Sequence, residues 1–111
     1  MNAGLGETRD ELLANIGESR SRATARSHHA QRSIAALARA EAASGAEDLR
    51  GRARNQAARA KQAAGEAERI LARARMTDSL EQLRDLEREI LRLETLADAS
   101  ALAVTHYLRL L

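Results

Sequence analysis

The uneven distribution of large aliphatic side chains is the strongest constraint on how this 111-residue chain can fold. Residues 80–111 contain twelve leucine, isoleucine and valine residues, whereas the stretch from Gly17 to Met76 contains five. A hydrophobic core depends on side chains of this size, because each buried methylene contributes about 0.8 kcal/mol. We therefore expect the core to form on the C-terminal segment, with the long middle segment packed against it.

Within the C-terminal segment, apolar residues recur three and four positions apart, as on one face of an α-helix. This first stripe is Leu83, Leu86, Ile90, Leu93, Ala97, Val104, Tyr107 and Leu111, with Ser100 at its polar position. A second stripe, with a spacing of eleven residues, lies well away from the first: Leu80, Leu91 and Leu102. Two apolar stripes predict that this helix contacts two neighbours, either within the chain or across an oligomer.

The composition predicts a fold made of helices alone. The chain has no proline and a single aromatic residue, Tyr107, and alanine is its most frequent residue. Strand-forming residues are too scarce for a sheet, and alanine, leucine, arginine and glutamate favour long helices. We predict an all-α fold, an elongated three-helix bundle or antiparallel coiled coil, with helices at about residues 7–43, 46–75 and 79–110. Residues 1–6 are expected to be disordered, which leaves residues 7–111 as a single helical domain.

The boundary between the first two predicted helices lies near Gly45. Ser44 and Glu47 fit a capping box, in which the serine is the N-cap and the glutamate follows three residues later. In favour of one continuous helix, an 11-residue spacing persists through this point at Ala38, Leu49, Ala60 and Leu71. We predict the break. The alternative is a long helix over about residues 20–75, folded against the C-terminal helix and completed by dimerisation.

Two further helix starts can be read from capping signals. Thr8 precedes Asp10 and Glu11, so acidic side chains fall where the positive end of the helix dipole favours them. Asp78 is predicted to be the N-cap of the third helix, with Glu81 at the third helical position.

Charge is distributed in three blocks, although the net charge of the chain is only +2. Residues 20–75 carry thirteen basic and five acidic side chains, whereas residues 1–19 and 76–111 each have a net charge of −3. An acidic C-terminal helix beside a basic middle segment favours an antiparallel hairpin. We predict that the basic segment is neutralised mainly within the chain.

The residues that could carry chemistry form no catalytic or metal-binding motif. His28 and His29 are adjacent and would point about 100° apart on a helix, and His106 has no acidic residue within one turn. The sequence contains no cysteine, no glycine-rich phosphate loop and no nucleophile elbow. We expect a non-enzymatic protein that uses no cofactor and no metal, with His28 and His29 on its surface.

The sequence also bears on location. It lacks a secretory signal and any run of about 20 apolar residues. We expect a cytoplasmic protein that does not span a membrane.

The C-terminal helix has more apolar surface than one small chain can bury, which predicts a protein–protein interaction module. Such a module could be an assembly subunit, an adaptor or a chaperone-like protein, and it would bind another protein or a second copy of itself. The predicted contact residues are Leu80, Leu91, Leu102, Tyr107, Leu108, Leu110 and Leu111. Because residues 99–111 carry one formal charge, at Arg109, this end must dock on something. A contact with the chain's own core is the simpler interpretation, and an exposed partner-binding tail is the alternative.

Nucleic-acid binding is the first alternative function. The candidate anion-binding residues lie in the basic middle segment: Arg50, Arg52, Arg54, Arg59 and Lys61. Arginine is well suited to binding phosphate. The aromatic side chains on which bases stack are missing, however, and no helix-turn-helix or basic-zipper pattern is present.

A second alternative comes from residues 56–66, Gln-Ala-Ala-Arg-Ala-Lys-Gln-Ala-Ala-Gly-Glu. This segment resembles the 11-residue repeat of the late-embryogenesis-abundant proteins. The resemblance covers about a tenth of the chain, and the neighbouring 11-residue segments do not repeat it in full. It implies an amphipathic helix that coats lipid or another interface, although such a helix would favour bulkier apolar residues than alanine.

Overall fold

The computed structural model describes residues 8–39 and 47–111, which form three α-helices. They are α1, Arg9–Arg39; α2, Glu47–Arg75; and α3, Leu80–Arg109. Each helix packs against both others, and the bundle has principal extents of 62 × 24 × 17 Å. The predicted all-α, elongated three-helix bundle is confirmed. The alternative, a single helix over residues 20–75, does not describe this arrangement.

Side-chain contacts between the helices fix their directions. Arg20 and Gln31 of α1 contact Glu68 and Ala57 of α2, so residue numbers rise along α1 while they fall along α2. These two helices are therefore antiparallel. Polar contacts between α1 and α3 instead keep a constant separation of 72 residues, which makes them parallel. The bundle thus has an up–down–up topology.

Three predictions for the first part of the chain concern residues that the structure does not describe. The predicted disorder of residues 1–6 lies outside the described residues. The predicted break at Gly45 and the Ser44 capping box also lie outside them. On either side of that gap, α1 is described as far as Arg39 and α2 begins at Glu47, where residues 7–43 and 46–75 were predicted.

Thr8 caps the start of α1. Its hydroxyl oxygen accepts a hydrogen bond from the backbone N–H of Glu11 at 3.1 Å, and the hydroxyl donates to the Glu11 carboxylate at 3.1 Å. Its carbonyl accepts from the backbone N–H of Leu12 at 3.0 Å. This arrangement satisfies amide groups that have no partner inside the helix.

The N-cap of α3 is Ser79, so the prediction that Asp78 fills this position is wrong. The Ser79 backbone is extended, with φ −74° and ψ 122°, and its side chain accepts from the backbone N–H of Gln82 at 3.2 Å. The Ser79 carbonyl also accepts from the N–H of Leu83 at 3.0 Å. The helix therefore starts one residue later than predicted. The serine with a glutamine three residues later is itself a capping-box pattern.

The two candidate caps can be separated by mutation. Ser79→Ala should lower the free energy of unfolding by about 0.5–2 kcal/mol, because an amide at the start of α3 loses its acceptor. Asp78→Ala, one residue away on the exposed turn, should change it by less than about 0.5 kcal/mol. Urea denaturation followed by circular dichroism measures both. A larger effect of the aspartate variant would contradict the assignment of Ser79.

The buried residues form two clusters along the bundle. The lower core, towards the turn between α2 and α3, contains most of the large side chains: Leu12, Ile16, Ala23, Ala63, Ala67, Ile70, Leu71, Ala74, Leu83, Leu86, Ile90, Leu93 and Ala97. The upper core, towards the end of α3, is made mostly of alanine: Ala30, Ala57, Ala60, Ala101 and Val104, with Ile34 and Leu108 packed on it. As expected, α3 supplies much of the core, and α2 contributes mainly alanine.

The buried face of α3 departs from the predicted first stripe near its C-terminal end. Ala101 is buried and Leu108 packs on the upper core, whereas Tyr107 is half-buried and Leu111 is exposed. At 3.6 residues per turn, the position that follows Val104 on the core face is Leu108, four residues on. Leu111 lies beyond the last residue of α3.

Neighbouring residues on α3 provide a test of this core. Ile90 is fully buried and Leu91 is 45% exposed. Ile90→Ala should cost about 2–5 kcal/mol of unfolding free energy, because it leaves a cavity in the lower core. Leu91→Ala should cost less than about 1 kcal/mol. Urea denaturation at low protein concentration measures the difference, and equal losses would contradict the burial pattern.

Candidate interaction surface

Three leucines form an exposed row on α3, which we call the outer stripe. Leu80 is 40% exposed, Leu91 45% and Leu102 64%. Because they are spaced by eleven residues, they stay within about 40° of one another around the helix and extend over about 33 Å. The sequence predicted this stripe, and the structure places it on the outer face of α3, at the edge nearer α1.

A fourth exposed leucine was missed by the sequence analysis. Leu96 is 49% exposed and lies about 140° around α3 from Leu91, at the edge nearer α2. It lines a shallow groove together with Arg59, Gln62, Ala63 and Glu66 of α2. Leu96 belongs to neither predicted stripe. A search for leucines that lie off the core face would have found it.

The C-terminal tail is only partly docked. Leu108 packs on the upper core, and Tyr107 is half-buried. Leu110 and Leu111 are exposed, so the prediction of a core contact is wrong for these two residues. The reason is that α3 ends at Arg109, and the last two amide groups close back on the carbonyls of Tyr107 and Leu108. The outer face of α3 therefore becomes increasingly apolar towards its end.

A row of polar contacts between α1 and α3 borders the outer stripe. Arg22 Nε donates to Glu94 Oε2 at 2.8 Å, and Arg26 Nε lies 2.9 Å from Asp98 Oδ1. Two acidic side chains of α3 are thus paired with arginines of α1, which begin the basic segment, rather than with arginines of α2. The groove between these side chains has a volume of about 440 Å³ and is also lined by Ala25 and Thr95.

Glu94 is the titratable group most affected by this arrangement. The hydrogen bond from Arg22 lowers the pKa of Glu94; burial opposes this effect, and the nearby Ser19 hydroxyl and the charge of Arg26 add to it. The same contact raises the pKa of Arg22. Ser19 is almost completely buried. Its interaction with Glu94 therefore links the polar contacts between α1 and α3 to the interior of the bundle.

The lowered pKa of Glu94 predicts how stability depends on pH. The Arg22–Glu94 contact should stabilise the bundle fully above the ordinary glutamate value of 4.5, and this contribution should be lost as the pH falls through the lower folded-state value. Glu94→Gln should therefore be less stable than the parent near neutral pH, with a difference that shrinks in acid. Urea midpoints measured at several pH values test this.

Glu89→Gln is the matched control, since Glu89 is an exposed glutamate of α3 without an ion pair to any other described residue. It should keep the pH profile of the parent. A Glu94→Gln profile that also matches the parent would contradict the prediction.

The five candidate anion-binding residues do not form one patch. Arg52 and Arg59 are seven residues apart and share the edge of α2 nearer α3, whereas Arg54 and Lys61 are also seven apart and share the opposite edge with Arg50. Arg52 pairs with Asp48 at 3.3 Å, and Arg50 is half-buried. Within residues 8–39 and 47–111, Arg54, Arg59 and Lys61 form no ion pair. The cations therefore flank α2 on two sides.

No other group of described residues forms a candidate catalytic or metal-binding site. His28, His29 and His106 are exposed. Among residues 8–39 and 47–111, no group of three or more histidine, aspartate or glutamate side chains could hold a metal ion. None of the three described helices has an apolar stretch long enough to cross a membrane.

These observations define an all-α three-helix bundle whose third helix carries a row of exposed leucines on its outer face. No protein-family model, no characterised protein and no solved structure matches the chain.

Proposed function

We propose that this chain is a non-enzymatic protein–protein interaction module that binds its partner through the outer face of α3. One observation carries the proposal: large leucine side chains lie exposed along α3, while much of the buried face of α2 that packs against it is alanine. Single exposed leucines are normal on protein surfaces, whereas an aligned group marks an interaction site. Here Leu80, Leu91 and Leu102 are aligned.

Helix propensity does not explain why these three exposed positions are leucine. Arginine, lysine and glutamate have nearly the same helix propensity as leucine, and they are favourable on exposed faces. The neighbouring exposed positions of α3 do carry such residues, including Arg84, Arg88 and Glu89. The outer stripe therefore contributes little to the folding of the isolated bundle and is available for binding.

The expected strength of binding follows from the exposed area. Complete burial of a leucine side chain contributes about 1.5–3 kcal/mol, so a half-exposed leucine has roughly 1 kcal/mol left to gain. Association costs at least about 4 kcal/mol in lost translational and rotational freedom. The three leucines of the outer stripe alone would give weak binding. A stable complex must also use contacts beside the stripe, for example those of Leu110 and Leu111.

Within this class, an assembly subunit, an adaptor and a chaperone-like protein differ in the partner that occupies the outer face. The proposal includes a cytoplasmic location.

The two rival functions have less support from the arrangement of the side chains. Nucleic-acid binding would be favoured by one continuous basic surface, but the cations of α2 lie on two edges. Interface coating would use the apolar face of α2, and in the bundle that face is buried against the other helices, for example at Ala53, Ala60 and Ala67. Such a role would require the bundle to open.

The proposal is tested by removing the exposed apolar surface without changing the core. In a Leu91→Glu, Leu102→Glu double variant, association with protein should be lost while the helical circular dichroism signal is kept. Light scattering after size exclusion measures self-association. Capture of proteins from an extract by the immobilised chain measures association with other proteins.

An Arg54→Glu, Lys61→Glu variant is the control, because it changes two exposed side chains on α2. It should leave protein association unchanged. Association should also respond little to salt, whereas binding to mixed-sequence duplex DNA would fall by orders of magnitude between about 50 and 200 mM salt. A chain that stays monomeric, and that captures the same proteins with or without the double substitution in α3, would show the proposal to be wrong.

A further inference from the structure

We propose that the partner on the outer face of α3 is a second copy of this chain, with the two α3 helices antiparallel and crossing at Leu91. This inference rests on the proposed function, because it assumes that the outer stripe is a binding surface. It goes further by naming the occupant and the register. The spacing of the leucines and the charges between them support this arrangement.

The outer stripe is compatible with two-fold symmetry. Leu80 lies eleven residues before Leu91, and Leu102 lies eleven residues after it. When two such helices meet antiparallel at Leu91, Leu80 of each copy therefore lies opposite Leu102 of the other. These contacts are about 16 Å from the crossing point on either side. A symmetric dimer requires a patch that is complementary to itself, and this row of three leucines meets that condition.

The charged side chains beside the stripe favour the same register. Arg84 lies seven residues before Leu91 and Asp98 seven residues after it, so each arginine would lie opposite an aspartate of the other copy. Both residues lie within about 20° of Leu91 around the helix, close to the line of contact. One opposite-charge pair therefore forms in each half of the dimer.

A parallel pair would produce the reverse pattern. It would place arginine opposite arginine and aspartate opposite aspartate, which is unfavourable. Charge therefore selects the antiparallel orientation as well as the register.

The side chains involved are available or already held in position. Arg84 is exposed and has no ion pair with another described residue. Asp98 is about half-exposed and is held by Arg26 of α1. Because α1 already orders this carboxylate, the second copy loses less side-chain entropy on binding.

The absence of cysteine allows the register to be measured directly. Single cysteines are introduced at Leu80, Leu91, Leu96 and Leu102, and the full-length chains are treated with a short bis-maleimide cross-linker. Leu91→Cys should give a cross-linked dimer by itself. Leu80→Cys and Leu102→Cys should each give little dimer alone and a cross-linked heterodimer when mixed. Leu96→Cys, equally exposed but on the other edge of α3, is the matched control and should give little.

The pairing of Arg84 with Asp98 of the other copy can be tested by changing these two charges. Arg84→Glu should raise the dissociation constant of the dimer by about tenfold. Combining it with Asp98→Asn should restore part of the affinity, because the new glutamate then faces no carboxylate, and the neutral side chain places no cation beside Arg26. Analytical ultracentrifugation measures the constants, and circular dichroism confirms that the variants stay helical. A double variant weaker than both single variants would contradict the pairing.

The outcomes separate this inference from the proposed function. Strong cross-linking of all three stripe variants alone would indicate a parallel pair, and cross-linking dominated by Leu96→Cys would indicate another face; either result overturns the inference. A monomer that captures another protein, and loses it on Leu91→Glu, Leu102→Glu substitution, would also overturn it while leaving the proposed function intact. A monomer whose captured proteins are unaffected by that substitution would overturn both.

Discussion

The packing of the leucine-rich face of α3 against alanine-lined neighbours is the interaction on which the rest of the structure depends. Alanine contributes little apolar area, so α2 could not hold a core by itself. Its small side chains do, however, let another helix approach closely. Leu83, Leu86 and Ile90 then fill the space between the helices, and α1 completes the core with Leu12 and Ile16. Helices that would be marginal in isolation are stabilised by their shared interior.

This dependence explains why the core is uneven along the bundle. In the lower part, large side chains of α3 point inwards, whereas beyond Ala97 the buried positions of α3 are Ser100, Ala101 and Val104. Of the leucines in that upper part, Leu108 packs on the core, whereas Leu102 and Leu110 are exposed. The upper part of the bundle therefore buries less apolar area than the lower part and exposes more of it. A surface of that kind is consistent with a bundle that gains part of its stability from a bound partner.

Much of the fold can be predicted from the sequence, because helix formation depends mainly on the types and the spacing of residues that are close together in the chain. The absence of proline and the abundance of alanine were enough to predict an all-α fold, and the spacing of Leu83, Leu86 and Ile90 was enough to predict the face of α3 that turns inwards. The division into three helices came from the capping signals between them. The N-cap at Ser79 was missed because two overlapping capping patterns occur one residue apart, and the one involving Asp78 was chosen. A choice of this kind is decided by backbone geometry, which a pattern of residue types does not specify.

The features that were not predicted depend on the arrangement of the helices. Charge totals indicated that the acidic C-terminal helix would be neutralised within the chain, but they did not indicate that α1 supplies the arginines. That outcome follows from the parallel alignment of α1 and α3, which sets Arg22 beside Glu94. The exposure of Leu96 likewise depends on how far α2 covers the side of α3. The exposed row of Leu80, Leu91 and Leu102 could be predicted because it depends only on the phase of one helix.

The up–down–up order of the helices has a mechanical consequence. Because α1 and α3 run in the same direction, the beginning of α1 and the end of α3 lie at opposite ends of a body 62 Å long. Anything attached at one of these points is held far from anything attached at the other. With an even number of antiparallel helices, both points would lie at the same end. This chain therefore has the geometry of a strut, able to set a fixed distance between two attached bodies while its long side remains free for contacts.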